Sequence, residues 1–185
     1  MQVKKVGVLV GSLRKESFSR KIAKALEELA TPSLQLEEVS LENLEMYNQD
    51  FDDEGNVPGS WTKFRDTVKK YDAILFITPE YNRSVPAVLK NALDIGSRPY
   101  GKSVWDKKPG AVVSVSPGRL SAFGANHHLR QSLVFLNVPT MQQPEAYIGD
   151  VAALLDGNGV MTDVRTLEFL KKFLDSYAIW VEKNL

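Results

Sequence analysis

The chain has 185 residues, 43% of them hydrophobic and 25% charged, the size and balance of one soluble domain with a full core. It has no cysteine, which excludes thiol nucleophiles, disulfides and cysteine metal sites, so any redox activity needs a bound cofactor. Formal net charge is zero and no lysine–arginine run is interleaved with aromatics, which argues against nucleic acid, and no apolar run approaches the roughly 18 residues of a membrane span.

Met1-Gln2-Val3-Lys4-Lys5 leads straight into a strand without a signal-peptide core, so the expected location is cytoplasmic. Val6-Gly7-Val8-Leu9-Val10 is a short apolar run of the kind found in a parallel strand buried on both faces. It stops at Gly11. A loop rich in hydroxyls and cations follows (Ser12, Arg14, Lys15, Ser17, Ser19, Arg20), and apolar residues then recur at helical spacing through Phe18, Ile22, Leu26 and Leu29.

Strand, loop and helix in this order put the loop at the carboxyl edge of a sheet, where a helix N-terminus offers free N–H donors and a partial positive charge. The loop has neither G-x-x-x-x-G-K-[ST] for a triphosphate nor G-x-G-x-x-G for a dinucleotide. Gly11 is its only glycine, so its donors are mostly side chains: the hydroxyls of Ser12, Ser17 and Ser19 and the charged fork of Arg14. That set suits the three clustered oxygens of a phosphate monoester. An ordinary helix cap at Ser17 or Ser19 is the competing account.

Pro32 ends the helical pattern, and Leu34 to Val39 reads as a shorter, half-exposed strand at or near an edge. Leu41 to Ser60 is polar and irregular. Within it, Asp50-Phe51-Asp52-Asp53-Glu54-Gly55 superficially resembles a calcium loop, but the twelfth position, which requires glutamate, is Trp61, so no metal is expected. A helix is predicted over Trp61 to Lys70, and Ala73 to Thr78 is the second strongly buried strand.

That strand runs into Pro79-Glu80-Tyr81-Asn82-Arg83-Ser84-Val85-Pro86, a loop bracketed by prolines. Pro86 opens the next helix, whose apolar face is Leu89, Ala92, Leu93 and Ile95. Asn82-Arg83-Ser84 matches a glycosylation sequon, which carries no weight without a secretion signal. Gly110 to Val115 is the third buried strand, followed by Ser116-Pro117-Gly118-Arg119 and a helix containing Leu129, Leu133 and Leu136. His127 and His128 lie in that helix about 100° apart, so they cannot chelate one ion together. A short last strand is expected between Val138 and Ile148, and a closing helix from Thr162 to about Lys183.

Strands alternating with helices imply an α/β, doubly wound, five-stranded parallel sheet with flavodoxin-like order 2-1-3-4-5 and helices on both faces. In that order the loops Gly11 to Ser19 and Pro79 to Ser84 meet at the switch point, and Ser116 to Arg119 closes the third side. Charge is distributed unevenly around this crevice. From Gln35 to Asp66 there are nine acidic residues and two basic ones, whereas from Arg83 to Arg130 there are eight basic and two acidic. Either these are solvated faces, or Arg83 and Arg119 wall a substrate site that attracts anions.

Three groups of residues resemble the NADPH-dependent FMN reductase family, especially its bacterial quinone and chromate reductase branch. They are Gly11-Ser12-Leu13-Arg14-x-x-Ser17-Phe18-Ser19, then Thr78-Pro79-Glu80-Tyr81-Asn82-x-Ser84-x-Pro86 with Leu89-Lys90-Asn91-Ala92-Leu93-Asp94, and Leu129-Arg130-Gln131. The similarity runs from Val6 to about Glu145. It implies that Ser12, Arg14, Ser17 and Ser19 bind the FMN phosphate, with Phe18 contributing backbone. Pro79, Glu80, Tyr81 and Asn82 would line the isoalloxazine, with Ser84 nearby and Ser116 and Gly118 approaching from the other side.

The resemblance further implies NADPH or NADH as co-substrate. Its oxidants are quinones, with chromate, other metal oxyanions or free flavin beside them, and its assembly is a homotetramer. No side chain is nominated as an obligatory acid or base, and Glu80 is as well explained by backbone geometry or an intersubunit salt bridge. Two departures stand out: Ser19 replaces the family's usual asparagine, and Ser121-Ala122-Phe123-Gly124 replaces a Gly-Gly pair. The other function considered is a non-catalytic flavodoxin-like electron carrier or flavin sensor. Carriers of that kind resemble strongly acidic proteins, whereas this chain is neutral with a basic centre. A hydrolase on this fold lacks support, because there is no G-x-S-x-G and there are only two histidines.

Overall fold

The apolar runs become five parallel strands: β1 (Lys4–Val10), β2 (Leu34–Glu38), β3 (Ala73–Thr78), β4 (Gly110–Val115) and β5 (Ala146–Ile148). The computed structural model, which describes residues 2–185, arranges them in the order β2-β1-β3-β4-β5. Register runs Val6↔Ala73 to Val10↔Ile77 between β1 and β3, and Ile74↔Gly110 to Thr78↔Ser114 between β3 and β4. All of β3 and β4 is buried, as strands covered on both faces must be. On β2 only Leu34 and Leu36 are buried while Gln35 is exposed, the alternation of an edge.

Six helices cover the sheet: α1 (Phe18–Glu28), α2 (Gln49–Asp53), α3 (Gly59–Lys69), α4 (Ala87–Gly96), α5 (Phe123–Phe135) and α6 (Val164–Asn184). On one face α1 and α6 pack Ile22, Leu26, Phe173 and Leu174 against Val8, Leu75 and Val113. On the other, α3, α4 and α5 pack Trp61, Phe64, Leu89, Leu93, Leu129 and Leu133 against Leu9, Phe76 and Val112. The alternation of β1 side chains between these two cores is the pleat of a fully buried strand. No helix among the described residues is long and apolar enough to cross a membrane.

The order carries the chain from β1 outward to β2 and then back across β1 to β3, so the direction of winding reverses between β1 and β3. A crevice opens there at the carboxyl ends of the strands.

One element departs from expectation. The stretch read as irregular contains α2, whose Asp52 lies in the calcium-like run. The Asp52 side chain is only 4% exposed, and both its carboxylate oxygens accept hydrogen bonds from the Arg65 guanidinium at 2.8 and 2.7 Å. Arg65 also donates from Nε to the Ile95 carbonyl at 2.9 Å, so this one side chain ties α2, α3 and the end of α4 together. Asn48 caps α2 by accepting from the Asp50 amide.

Candidate functional site

The loop after β1 begins with Gly11, whose amide donates to the Ile77 carbonyl at 2.8 Å. A Cβ on Gly11 would lie 3.2 Å from Pro79 and 3.3 Å from Leu89, so the loops after β1 and β3 are in direct contact. Ser17 is the N-cap of α1, with its Oγ accepting from the Arg20 amide at 3.3 Å. The ordinary cap is therefore real, yet its hydroxyl proton remains free to donate. Ser12, Ser17 and Ser19 are all buried, at 4%, 2% and 1% exposure, a concentration of hydroxyls that a core does not need.

The amides of Phe18 and Ser19 stand in the first turn of α1, where no intrahelical acceptor exists. No acidic residue occupies that turn. Arg14 is exposed and forms no ion pair among the described residues, while Arg20 and Lys21 are paired with Glu38 and Glu16. Arg20 pairs with Glu38 at 3.1 Å and reaches the Arg14 carbonyl at 3.5 Å, bracing the loop from behind. Sequence reasoning counted Arg20 among the loop cations without this bracing role, which depends on β2 lying beside β1.

The loop after β3 is a tight turn. Tyr81 and Ser84 exchange both backbone hydrogen bonds, at 3.1 and 3.0 Å, around Asn82 at φ 51° and Arg83 at φ 63°. Two consecutive left-handed residues suit Asn-Gly; Asn tolerates the conformation and Arg does not. Arg83→Gly is therefore expected to raise stability by about 0.5–1 kcal/mol in a denaturant melt, the left-handed penalty less the extra chain entropy of glycine. Arg83→Ala should bring no such gain.

Two side chains fasten this turn to α5. Glu80 Oε2 accepts from the Ala125 amide at 2.9 Å, and Ser84 Oγ shares a 3.0 Å hydrogen bond with His128 Nδ1. Glu80 thus meets a helix terminus of its own chain. His127 points elsewhere, as helical spacing requires: its Nε2 lies 3.1 Å from the Tyr147 hydroxyl, which donates to Glu145 at 2.8 Å. Burial, then the hydrogen bond and charge of Glu145, push the Tyr147 phenol up to about 12.

The loop after β4 turns on Ser116, whose Oγ accepts from the Gly118 amide at 3.0 Å. Ser121 and Ala122, within the stretch Ser121 to Gly124 that stands where the family has a Gly-Gly pair, sit at φ 55° and 58°. The chain keeps a glycine-type backbone without glycine. The strain is fixed from below: buried Ser114 Oγ donates to the Ser121 carbonyl at 2.8 Å and accepts from Asn126 Nδ2 at 3.2 Å. Asn126 in turn accepts from Arg130 Nε at 2.8 Å, and Arg130 donates to the Met141 carbonyl at 2.9 Å. Arg130 is therefore internal bracing.

Of the basic central segment, Lys90 is spent on Asp94 at 2.7 Å and Lys108 on the Tyr71 carbonyl, with burial lowering the Lys108 pKa. Arg83 and Arg119 are the two that face solvent beside the crevice. Their side chains are 74% and 93% exposed, and each makes one long ion pair, Arg83 with Glu80 at 3.5 Å and Arg119 with Asp150 at 3.8 Å.

The loops after β1, β3 and β4 thus adjoin at one sheet edge, and the residues nominated from sequence lie on them or, for Phe18 and Ser19, in the first turn of α1. Three buried hydroxyls, a helix N-terminus without acid and one unpaired guanidinium make a donor set that fits a phosphate monoester such as that of FMN.

Comparison with known proteins agrees with this chemistry. The profile of the NADPH-dependent FMN reductase family matches residues 4–153. A quinone reductase of Pseudomonas putida is 56% identical over 183 residues, spanning 99% of this chain and 97% of the relative. A 2-hydroxy-1,4-benzoquinone reductase of a Burkholderia species is 42% identical over 177 residues, 96% of each. The solved structure of FerB, a flavoenzyme NAD(P)H:(acceptor) oxidoreductase from Paracoccus denitrificans, superposes with a TM-score of 0.91 at 41% identity, covering 98% of this chain and 99% of that one. The chain belongs to the NADPH-dependent FMN reductase family and is an oxidoreductase that works with FMN and NAD(P)H.

Proposed function

We propose that the protein passes electrons from NAD(P)H through FMN to quinones, with the FMN phosphate in the loop Gly11 to Ser19. The observation that carries this is the cradle at the start of α1: buried Ser12, Ser17 and Ser19, the amides of Phe18 and Ser19 in a first turn without an acidic residue, and Arg14, with the loop's one carboxylate, Glu16, paired to Lys21 at 2.9 Å. The isoalloxazine lies against the backbone of Pro79 to Asn82, with Ser84 behind it and Ser116 and Gly118 on the far side. Quinone is the acceptor named for the 56% and 42% identical relatives. What FMN supplies when bound is two-electron transfer between a stacked nicotinamide and an oxidant on the same face. The chain's own share is position and electrostatics. Steady-state oxidation of NADPH and NADH by the FMN-loaded protein with benzoquinone tests the proposal. Sustained turnover is expected, while flavin that is held but does not turn over would make the protein a carrier.

Chromate and other metal oxyanions are proposed as further oxidants on the strength of Arg83 and Arg119, whose largely exposed cations flank the crevice and are held only by long ion pairs to Glu80 and Asp150. The second-order rate constant for chromate should fall as ionic strength passes about 0.1 M, where the Debye length is about 10 Å. A neutral quinone should show much less dependence, and Arg83→Ala should flatten the chromate slope without lowering FMN occupancy. Equal slopes for both oxidants would leave the two arginines without a role in capture.

The working location proposed is the cytoplasm, where reduced nicotinamide nucleotides are kept. The proposed assembly is a homotetramer. Its support is the apolar surface around α4 and α5, where Tyr100, Val134 and Phe135 are 93%, 77% and 83% exposed. Light scattering at micromolar concentration should give about four chain masses, and a monomer mass would refute it.

A further inference from the structure

Helix α5 starts without a cap of its own. The residue before it, Ala122, is in the left-handed region at φ 58° and ψ 37° and has no side chain that can accept from the first-turn amides. Phe123 and Gly124 follow, which cannot accept either. The Phe123 amide donates to the Leu120 carbonyl at 2.9 Å, but the next amides of the first turn need an acceptor from elsewhere, and a carboxylate is the best suited to the positive end of the helix. Glu80 provides it from the loop after β3, 45 residues away, with Oε2 2.9 Å from the Ala125 amide and a side chain only 12% exposed.

A second observation shows that this contact sets a distance. A Cβ on Gly124 would lie 2.9 Å from Glu80 Oε2 and 2.8 Å from the Arg83 carbonyl oxygen. The turn therefore rests directly on the first residues of α5, with no space between for one methyl group. The Ser84–His128 hydrogen bond at 3.0 Å fastens the same turn one helical step further on. Inside the turn, the paired Tyr81–Ser84 backbone bonds make it a small rigid unit, and that unit includes the strained Arg83. Such a unit is located by what it rests on.

We propose that the Glu80 side chain is a positioning group: by capping α5 its carboxylate fixes the height of the Pro79 to Ser84 turn, and through that turn it sets the affinity for the flavin ring without itself touching the ring. This rests on the placement of the isoalloxazine against Pro79 to Asn82 proposed above. The phosphate end of the cofactor is governed by a different loop, so the effect belongs to the ring alone.

The test uses apoprotein titrated with FMN and with riboflavin, followed by flavin fluorescence, in the wild type and in Glu80→Ala, Glu80→Gln and Gly124→Ala. Apoprotein melting temperature and the visible circular dichroism of bound flavin are recorded beside affinity. Glu80→Ala should weaken FMN and riboflavin by the same factor, up to about tenfold, since binding must then re-seat a turn that has lost its charge-assisted hydrogen bond to α5. Glu80→Gln keeps an acceptor and should recover most of this, within about threefold of wild type. Gly124→Ala, which lifts the turn instead of releasing it, should weaken both ligands too. The double variant Glu80→Ala with Gly124→Ala should show less than the product of the single effects, because both act on one contact.

Wild-type flavin affinity in Glu80→Ala, together with a lowered apoprotein melting temperature, would make Glu80 a helix cap and nothing more. Changed circular dichroism at unchanged affinity would leave the ring at the turn and overturn only the proposed role of the carboxylate. Unchanged affinity and unchanged circular dichroism in both Glu80→Ala and Gly124→Ala would place the ring elsewhere and overturn the site assignment itself. Should Glu80→Ala fail to fold, Glu80→Gln and Gly124→Ala decide the matter: wild-type affinity in Gly124→Ala refutes the proposal.

Discussion

Replacing Asp52 by alanine is expected to destabilise the protein by about 3–5 kcal/mol, the cost of leaving one member of a buried ion pair alone. The Arg65 and Asp52 side chains are 9% and 4% exposed and joined by two short hydrogen bonds. Arg65 cannot swing into water without giving up the Ile95 carbonyl and its place over the Trp61 ring, 5.6 Å from the ring centroid. In a domain of this size the loss should appear as a fall of roughly 6–20 °C in melting temperature. Replacing both partners with apolar residues of similar volume should cost much less, since no charge is then stranded. A loss below about 1 kcal/mol for Asp52→Ala would mean that the pair behaves like a solvated surface contact.

The second large effect is expected at Arg14. Arg14→Ala should raise the FMN dissociation constant about ten- to a hundredfold, from the loss of a charged hydrogen bond worth about 1.5–3 kcal/mol. Arg14 is exposed and has no ion-pair partner among the described residues, so the melting temperature of the apoprotein should not move. Ser17→Ala with Ser19→Ala should weaken FMN as well, but less cleanly. Ser17 also caps α1, and removing that cap costs about 1 kcal/mol of stability by itself. Unaltered FMN titration of Arg14→Ala would remove the phosphate assignment.

Why these two sites differed in legibility follows from what each is made of. The strands were readable because Val6 to Val10, Ala73 to Thr78 and Gly110 to Val115 are apolar on both faces, and Leu34-Gln35-Leu36 alternates as an edge strand does. Their alternation with helices then fixes the sheet order, and with it which loops meet. Helix α2 was not readable. It is five residues long, has no buried residue of its own and exists through an Asn48 cap and a pairing with Arg65 thirteen positions on. Nothing in its periodicity could report that.

The loop from Gly11 to Ser19 stood out by composition, as hydroxyls and cations placed after a buried strand and before a helix, and the phosphate role proposed for it rests on that set of donors. The other two walls of the crevice depend on backbone conformations their residues do not advertise. Arg83, Ser121 and Ala122 adopt φ values of 63°, 55° and 58° that point to glycine in sequence terms. The departure from a Gly-Gly pair was visible in the sequence, but not that Ser121 and Ala122 would take left-handed φ values. The role of Glu80 was likewise hidden, since a cap supplied across 45 residues appears only once β3 and α5 are placed side by side.

The central claim is that the loop from Gly11 to Ser19 holds a phosphate monoester, and it is tested most directly by comparing FMN with riboflavin, which differ by that group alone. Both should be titrated into the apoprotein and into Arg14→Ala at fixed ionic strength. The account predicts that wild-type protein binds FMN at least about a hundredfold more tightly than riboflavin, and that Arg14→Ala narrows this ratio by about tenfold or more while riboflavin affinity stays the same. Equal affinities for FMN and riboflavin in the wild type, or a ratio that Arg14→Ala leaves unchanged, would contradict it.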